Sequence, residues 1–251
     1  MRAILTYHSI DPSGSPISCH PEAFSRHIAW FVSGRVRVTT VHDLVAMPTS
    51  IDAVAITFDD AFANFAEIAA PQLLDHGLSA TLFVVADHVG RTNAWGGLAD
   101  NGIPHLPLLD WSSLDRLHGR GMTIGAHTRR HRDLTTLSLA AVEDEVYGSA
   151  NIIERRTGRR PSLFAYPYGR RDEQSTMVVA RAFQYACTTE FRPLESQATA
   201  AALPRLDMYY FQQPGRLESW GTPSFDRFVA YRRSLRQLRR TATAAVARVL
   251  R

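Results

Sequence analysis

Ala53-Val54-Ala55-Ile56-Thr57-Phe58-Asp59-Asp60 is a run of small and β-branched apolar residues that ends in two adjacent carboxylates. A short apolar run of this kind is typical of a strand that is buried on both faces, as in a parallel sheet. Adjacent carboxylates raise each other's pKa, so the pair is costly unless a cation neutralises one of them. A lone Asp-Asp pair is equally compatible with a solvated turn or a helix N-cap, and a second feature is needed to indicate a site.

On both sides of this strand, short β-branched runs alternate with longer segments of helical periodicity. This alternation predicts βα units around a parallel sheet, in a number that suits a closed or nearly closed barrel of the α/β class. The predicted strands are 3–7, 36–40, 53–58, 80–85, 122–126, 163–166, 185–188 and 203–206. The predicted helices are 21–33, 63–76, 111–120, 138–157, 172–183 and 224–250, and 86–109 is a predicted loop over one mouth of the barrel.

The composition is that of an ordinary globular chain, with 251 residues, 45% hydrophobic and 21% charged. It excludes a disordered, collagen-like or disulfide-stapled protein. We expect one domain, with a barrel over 1–223 and a basic amphipathic helix over 224–251 as part of it. The two cysteines form no C-x-x-C motif and therefore no thiolate metal site. We see neither a signal peptide nor a run of about 18 apolar residues, and expect a cytoplasmic protein, with possible peripheral membrane contact.

Polar residues follow directly after several of the predicted strands. They are Tyr7-His8, Asp59-Asp60, His127, Pro167-Tyr168-Gly169 and Asp207. Because the carboxyl ends of parallel strands share one face of a barrel, and that face carries the chemistry, we expect these positions to converge on a single site.

Two imidazoles lie four residues apart in Gly125-Ala126-His127-Thr128-Arg129-Arg130-His131. If that turn is helical, the two rings share a face. One carboxylate and two imidazoles make a three-ligand site with open positions, typical of catalytic zinc and of iron(II), manganese or cobalt centres. An isolated pair of histidines at this spacing more often lies on a surface helix.

Three ordered motifs together resemble the polysaccharide deacetylase family related to the nodulation chitooligosaccharide deacetylase. They are Thr57-Phe58-Asp59-Asp60, His127-Thr128-x-x-His131 and Phe164-Ala165-Tyr166-Pro167-Tyr168-Gly169, with further similarity at Leu5-Thr6-Tyr7-His8 and at 80–84. The resemblance extends over residues 3–207. It implies a distorted (β/α) barrel of about seven parallel strands. It also implies hydrolysis of N-acetyl groups on an amino-sugar polymer or oligomer.

The resemblance also implies roles for individual residues. The implied metal ligands are Asp60, His127 and His131. The metal would be Zn²⁺, with Co²⁺, Mn²⁺, Ni²⁺ or Fe²⁺ as alternatives, and Asp59 would be the general base. The backbone N–H of Tyr168 would stabilise the oxyanion, Pro167 would fix the turn, and Gly169 would let the chain approach the substrate closely.

The chain departs from the family pattern at two positions near these motifs. Ala61 stands where the first motif usually has Gly, a change that we expect to be tolerated. Ala165 stands where many members have the Arg that orients the base. Arg205 is the candidate replacement, with Asp207 as its possible partner, although an ordinary surface ion pair would fit these two residues equally well.

A third departure concerns the histidine that protonates the leaving amine in the family. All ten histidines of this chain lie at or before His131, so that late histidine has no counterpart by position. His8 is the nearest candidate for a proton donor or a sugar-binding group, and a structural histidine in the barrel rim is the alternative.

Aromatic and basic residues suggest where the substrate and partners lie. Trp95 in the long loop could stack on a sugar face, whereas Trp111 at a predicted helix start is better explained as core. The arginines of 224–251 indicate a solvated helix face or contact with a membrane surface or a lipid-linked glycan precursor. No nucleic-acid motif accompanies them, so we expect no nucleic-acid partner.

The sequence therefore predicts a metal-dependent hydrolase that removes N-acetyl groups from an amino-sugar-containing glycan. One alternative keeps fold and metal but opens a cyclic imide or ureide, or cleaves a small-molecule amide. Another is a carbohydrate-binding relic without turnover, against which the joint presence of a base and a metal triad argues. A ferrous oxygenase is disfavoured because those sites commonly lie on antiparallel jelly rolls.

Overall fold

The structure is a computed structural model that describes residues 1–95 and 102–249, with side chains of the last helix described up to residue 238. Its strands are β1 (Arg2–Tyr7), β2 (Ser9–Ile10), β3 (Ser18–Cys19), β4 (Arg37–Thr39), β5 (Ala53–Phe58), β6 (Thr81–Val84), β7 (Thr123–Ala126), β8 (Leu163–Ala165), β9 (Tyr185–Cys187) and β10 (Arg205–Asp207). Its α-helices are α1 (Pro21–Phe31), α2 (Val41–Ala46), α3 (Ala70–Asp75), α4 (Trp111–Gly119), α5 (Leu139–Thr157), α6 (Glu173–Ala182) and α7 (Pro223–Val249).

Seven parallel strands run around the barrel in the order β10-β1-β5-β6-β7-β8-β9. β4 pairs with the first half of β5, and β6 pairs with the second half on the same edge. A single parallel bridge between Cys187 and Leu203 joins β9 to the chain just before β10, so the barrel is nearly closed. This architecture confirms the predicted distorted (β/α) barrel.

The barrel strands are buried on both faces, which is why the sequence shows continuous apolar runs there instead of alternation. Every residue of β5 is buried. Ile4, Ala55 and Phe83 pack in one cluster with residues of other barrel strands and of α2, whereas Leu5 and Ile56 pack in a larger cluster with the other helices. The strand ends are therefore fixed from both sides, and the side chains that follow them have little freedom to move.

The largest difference from the predicted elements lies in the helix expected over 63–76. It begins as a π-helical turn, Phe65–Ala69, and continues as α3. Pro71 in the first turn of α3 has no N–H to bond back to the preceding turn, and the N–H of Ala70 instead reaches the carbonyl of Phe65. The short helix α2, which begins at the N-cap Thr40, was not predicted because it is too short to show a periodic pattern.

The C-terminal helix α7 packs its first turns on the barrel. Phe225 and Val229 are buried, and the guanidinium of Arg232 lies 4.0 Å from the ring centre of Tyr210. The division into 1–223 and 224–251, and any membrane contact of this helix, stay predictions. Among residues 1–95 and 102–249, no helix is both long and apolar enough to cross a membrane. Part of the predicted loop 86–109, residues 96–101, lies outside the described residues.

Candidate active site

A cavity opens at the carboxyl ends of the barrel strands, where the sequence predicted a convergence of polar residues. It is lined by His8, Ile17, Asp59, Asp60, Asn93, Trp95, Ile103, His105, His127, His131, Tyr166, Tyr168 and Thr189. Four of the five predicted positions contribute to this lining. The prediction for Asp207 was wrong, because its carboxylate caps the turn at Tyr209 and pairs with Arg236 of α7 at 3.2 Å.

The three predicted metal ligands come together in this cavity, and all three are buried. Oδ1 of Asp60 lies 3.6 Å from Nε2 of His127 and 3.5 Å from Nε2 of His131. Nδ1 of His127 donates a hydrogen bond to the carbonyl oxygen of Ala165 at 2.7 Å. This bond fixes the ring and leaves Nε2 as the lone-pair donor, the arrangement that metal-ligating histidines commonly show.

These residues fit a divalent metal. Oδ1 of Asp60 and Nδ1 of His131 are buried with no hydrogen-bond partner among the described residues. Burial raises the pKa of the Asp60 carboxyl, and burial together with His127 lowers the pKa of His131 well below its usual range. A cation would neutralise the costly buried carboxylate, and the lowered pKa of His131 keeps that imidazole available as a ligand. The donor set suits zinc and its neighbours in the first transition row.

The turns that carry the ligands contain left-handed backbone. Asp60 and Ala61 have φ values of 67° and 57°, and Thr128 and His131 have φ values of 64° and 58°. The segment between the two histidines is therefore not helical, and the condition under which the two rings would share a helix face is not met. The segment is a loop in which the hydroxyl of Thr128 accepts the N–H of His131 at 3.0 Å. Strained backbone of this type persists where surrounding contacts impose it.

Asp59 lies beside the metal ligands and pairs with Arg205. The two guanidinium NH groups donate to the two carboxylate oxygens at 2.6 and 2.7 Å, and both residues are nearly inaccessible, with exposures of 2% and 1%. Burial alone would raise the pKa of Asp59, but the charge of Arg205 holds it well below its usual range. Arg205 thus lies where it can orient the predicted base, and its expected partner Asp207 is replaced by Asp59.

His8, which follows β1, faces the same carboxylate. Its Nε2 lies 3.7 Å from Oδ2 of Asp59, and its side chain is partly exposed to the cavity. The distance is too long for a hydrogen bond, but it places the imidazole between Asp59 and the open part of the cavity. The imidazole of His105 also lines the cavity, in addition to those of His8, His127 and His131, and it was missed because no motif surrounds it in the sequence.

Aromatic rings enclose the ligand His131. The ring of Trp95 stacks on it at 4.7 Å between centres, and the ring of Tyr168 meets it edge-on at the same distance. Trp95 therefore lies at the cavity, as expected for a residue that contacts substrate.

The turn after β8 differs from its predicted role. Tyr168 has a φ of 59° and lines the cavity, but neither Pro167 nor Gly169 is among the lining residues of the described chain. A Cβ on Gly169 would lie 2.1 Å from Oγ1 of Thr189. This glycine therefore makes room for Thr189, and its predicted role in a close approach to the substrate stays a prediction.

Comparisons with known proteins agree with this geometry. The profile of the family described as polysaccharide deacetylase matches residues 46–187. YxkH of Bacillus subtilis, named for the same family, is 25% identical over 193 residues, which are 74% of this chain; the match spans 64% of the length of that protein.

Solved structures share the fold. The deacetylase PplD of Streptococcus pyogenes, in complex with acetate, is 19% identical with a TM-score of 0.69, over 82% of this chain and 91% of that chain. IcaB of Ammonifex degensii is 20% identical with a TM-score of 0.70, over 92% and 97%. At these identities the likeness shows the fold alone. Since the family profile covers more than half of the residues, the chain belongs to the polysaccharide deacetylase family.

Proposed function

We propose that this chain is a metal-dependent hydrolase that removes N-acetyl groups from an amino-sugar-containing polysaccharide or oligosaccharide. One observation carries the proposal: the buried carboxylate of Asp59, held by Arg205, stands directly beside the three converging ligands Asp60, His127 and His131. Sugar binding alone needs no ionised base next to a metal triad. Amide hydrolysis needs both, because water must be deprotonated while the carbonyl is polarised.

A divalent metal held by Asp60, His127 and His131 would supply Lewis acidity and lower the pKa of a water molecule. The protein residues then divide the remaining work. Asp59 accepts the proton of the attacking water on a carboxylate oxygen. Because the guanidinium of Arg205 donates to both carboxylate oxygens, the carboxylate keeps one orientation, and Asp59 lines the cavity in which the water would be activated.

Two further groups complete the proposed mechanism. The backbone N–H of Tyr168, in the left-handed turn at the cavity wall, donates to the oxyanion that forms on the acetyl oxygen. The leaving amine needs a proton, and His8 is the proposed donor, since it lies beside Asp59 on the open side of the cavity. Trp95 is the proposed platform for a sugar ring.

The experiment is acetate release from N-acetylglucosamine oligomers and polymers by zinc- and cobalt-loaded protein, compared with Asp59→Asn. The variant is isosteric and leaves the three ligands in place, so it should still bind metal while kcat falls by at least about 100-fold. Acetate release by the wild type that collapses in this variant supports the deacetylase and the base together.

Two outcomes contradict the proposal. Wild-type protein that binds stoichiometric metal and releases no acetate from any glycan rejects the glycan substrate and favours hydrolysis of a cyclic imide or a small amide. Undiminished release by Asp59→Asn rejects Asp59 as the base.

A further inference from the structure

We propose that Glu145, on helix α5, is a positioning residue that holds the loop of His131 in the shape needed for metal binding. This inference rests on the metal site of the proposed function. Glu145 lies outside the cavity and in none of the motifs quoted above, yet its side chain is completely buried, with an exposure of 0%. Burying a carboxylate is unfavourable unless both of its oxygens accept hydrogen bonds. The donors that contact Glu145 therefore indicate its function.

Those contacts all go to the loop between the two histidines. Oε2 of Glu145 accepts the backbone N–H of Arg129 at 3.0 Å and that of Arg130 at 2.9 Å. Its Oε1 accepts from the guanidinium of Arg130 at 3.1 Å. One side chain thus satisfies two successive backbone donors immediately before His131. Such bonds to a charged acceptor are shorter and stronger than bonds between neutral groups.

The loop needs this support because its backbone is strained. Thr128 and His131 both adopt positive φ, a conformation that is unfavourable for residues other than glycine. The strained residues flank Arg129 and Arg130, the two residues that Glu145 holds. Without an acceptor for the N–H groups of Arg129 and Arg130, the strained loop would relax toward ordinary backbone angles. Relaxation would turn the ring of His131 away from Asp60.

The surface of α5 that contacts this loop also fits it in shape. Gly148, one turn after Glu145, has no side chain, and a Cβ there would lie 2.5 Å from Cδ of Arg129. In the turn after β6, the N–H groups of Ala86 and Asp87 also donate to this loop, to the carbonyls of Thr128 and Arg129 at 3.1 and 2.9 Å. The loop is therefore held by hydrogen bonds from both α5 and the turn after β6, and Glu145 makes those on the side of the helix.

The test measures metal affinity by cobalt titration of the full chain, together with the visible absorption of the bound cobalt, which reports ligand geometry. Glu145→Ala removes the acceptor of both N–H groups, and we expect a cobalt Kd 10- to 100-fold weaker than that of the wild type, with an altered spectrum. Glu145→Gln keeps a carbonyl for the two N–H groups but turns an amide donor toward Arg130. We expect a smaller weakening, about 3- to 10-fold.

Two control variants separate positioning from a general loss of charge. Glu143→Ala removes an exposed carboxylate from the same helix and should keep the wild-type Kd and spectrum. Asp144→Asn weakens the contacts to the guanidinium groups of Arg129 and Arg130 but leaves the loop backbone bonded, so its Kd should stay within about threefold of the wild type.

Each outcome decides one point. Wild-type protein that binds no cobalt refutes the proposed metal site itself. Wild-type binding with an unchanged Kd and spectrum in folded Glu145→Ala overturns the positioning role. If Glu145→Ala fails to fold, Glu145→Gln decides, and wild-type values in that variant overturn the role in the same way.

Discussion

Arg205 and Asp59 are 146 positions apart in the sequence, and they form a two-pronged ion pair in the interior of the barrel. Arg205 begins β10, Asp59 follows β5, and β1 lies between these strands. Asp59 directly precedes Asp60, one of the three predicted metal ligands, and both line the same cavity. The guanidinium also donates to the carbonyl of Thr188 at 3.0 Å, so its own position is fixed by the neighbouring chain. Asp59 is therefore paired with an arginine whose own position is fixed by a further hydrogen bond.

Replacing Arg205 should impair both activity and stability. Removing one partner of a buried pair leaves the other charge uncompensated, so we expect Arg205→Ala to lose about 3–5 kcal/mol of unfolding free energy. Without the arginine, burial raises the pKa of Asp59, and the base becomes protonated as the pH falls. The acid limb of kcat/KM should therefore move to higher pH. The measurements are a pH–rate profile and a denaturant titration. Arg205→Lys keeps the charge and should shift the limb less; a wild-type profile in Arg205→Ala contradicts the role.

The family motifs carried most of what the sequence could predict about the site. Asp60, His127 and His131 follow strands in short, local segments, so their convergence follows from the barrel topology alone. Arg205 was predicted as the residue that orients the base, but its partner was not. The choice between Asp59 and Asp207 depends on the side-chain direction at a strand end, which no periodic pattern encodes.

Other features of the site could not be predicted from the sequence because they depend on tertiary contacts. Glu145 lies in an ordinary charged stretch of α5, and only the docking of the 128–131 loop gives its burial a reason. The left-handed backbone at Thr128 and His131 was likewise not predicted, since positive φ is uncommon for any residue other than glycine and a single histidine does not indicate it. The contact between Gly169 and Thr189 was missed because the two residues are distant in the sequence and only the folded chain brings them together.

His27 should make the stability of the protein depend on pH. It is buried and neutral: the hydroxyl of Tyr7 donates to its Nδ1 at 2.9 Å, and its Nε2 donates to the carbonyl of Phe211 at 3.0 Å. Burial lowers its pKa from 6.5 to about 4. The depressed pKa means that protons bind the unfolded chain better. The contribution of neutral His27 to the unfolding free energy is therefore fully present above pH 6.5 and is lost as the pH falls. At pH 4 the unfolding free energy is lower by about 3 kcal/mol from this group.

The measurement is the unfolding free energy from urea titrations between pH 7.5 and about 4. His27→Gln removes the titrating group and should flatten the pH dependence over that interval, although the variant starts from a lower stability. Identical slopes in the wild type and the variant would show that His27 does not contribute to acid sensitivity.

His8 should be needed for turnover but not for metal binding. Loss of a general acid typically costs 10²–10⁴-fold in rate, so we expect kcat of His8→Ala to fall by about 100-fold while the cobalt Kd is unchanged. His105→Ala is the matched control, because it also removes an imidazole from the cavity wall. We expect its kcat to stay within about threefold of the wild type. An intact kcat in His8→Ala would remove the proton-donor role.

Gly169→Ala should damage the site through Thr189. The new Cβ would lie 2.1 Å from Oγ1 and 2.5 Å from the backbone N of Thr189, and the φ of residue 169 is 65°. The steric clash with Thr189 and the cost of positive φ for alanine both destabilise the variant. We therefore expect a loss of about 2–4 kcal/mol of unfolding free energy. The turn of Tyr168 must shift to relieve the clash, and kcat should fall by at least tenfold since the proposed oxyanion donor lies there.

The matched control for this substitution is Gly158→Ala at the end of α5, where φ is 71° and a Cβ meets nothing within 4 Å. It isolates the cost of positive φ, about 1 kcal/mol, and should leave kcat unchanged. Thermal melting and acetate release measure both variants. If Gly169→Ala behaves like Gly158→Ala in both assays, the contact with Thr189 does not position the Tyr168 turn, and the donor must be sought elsewhere on the cavity wall.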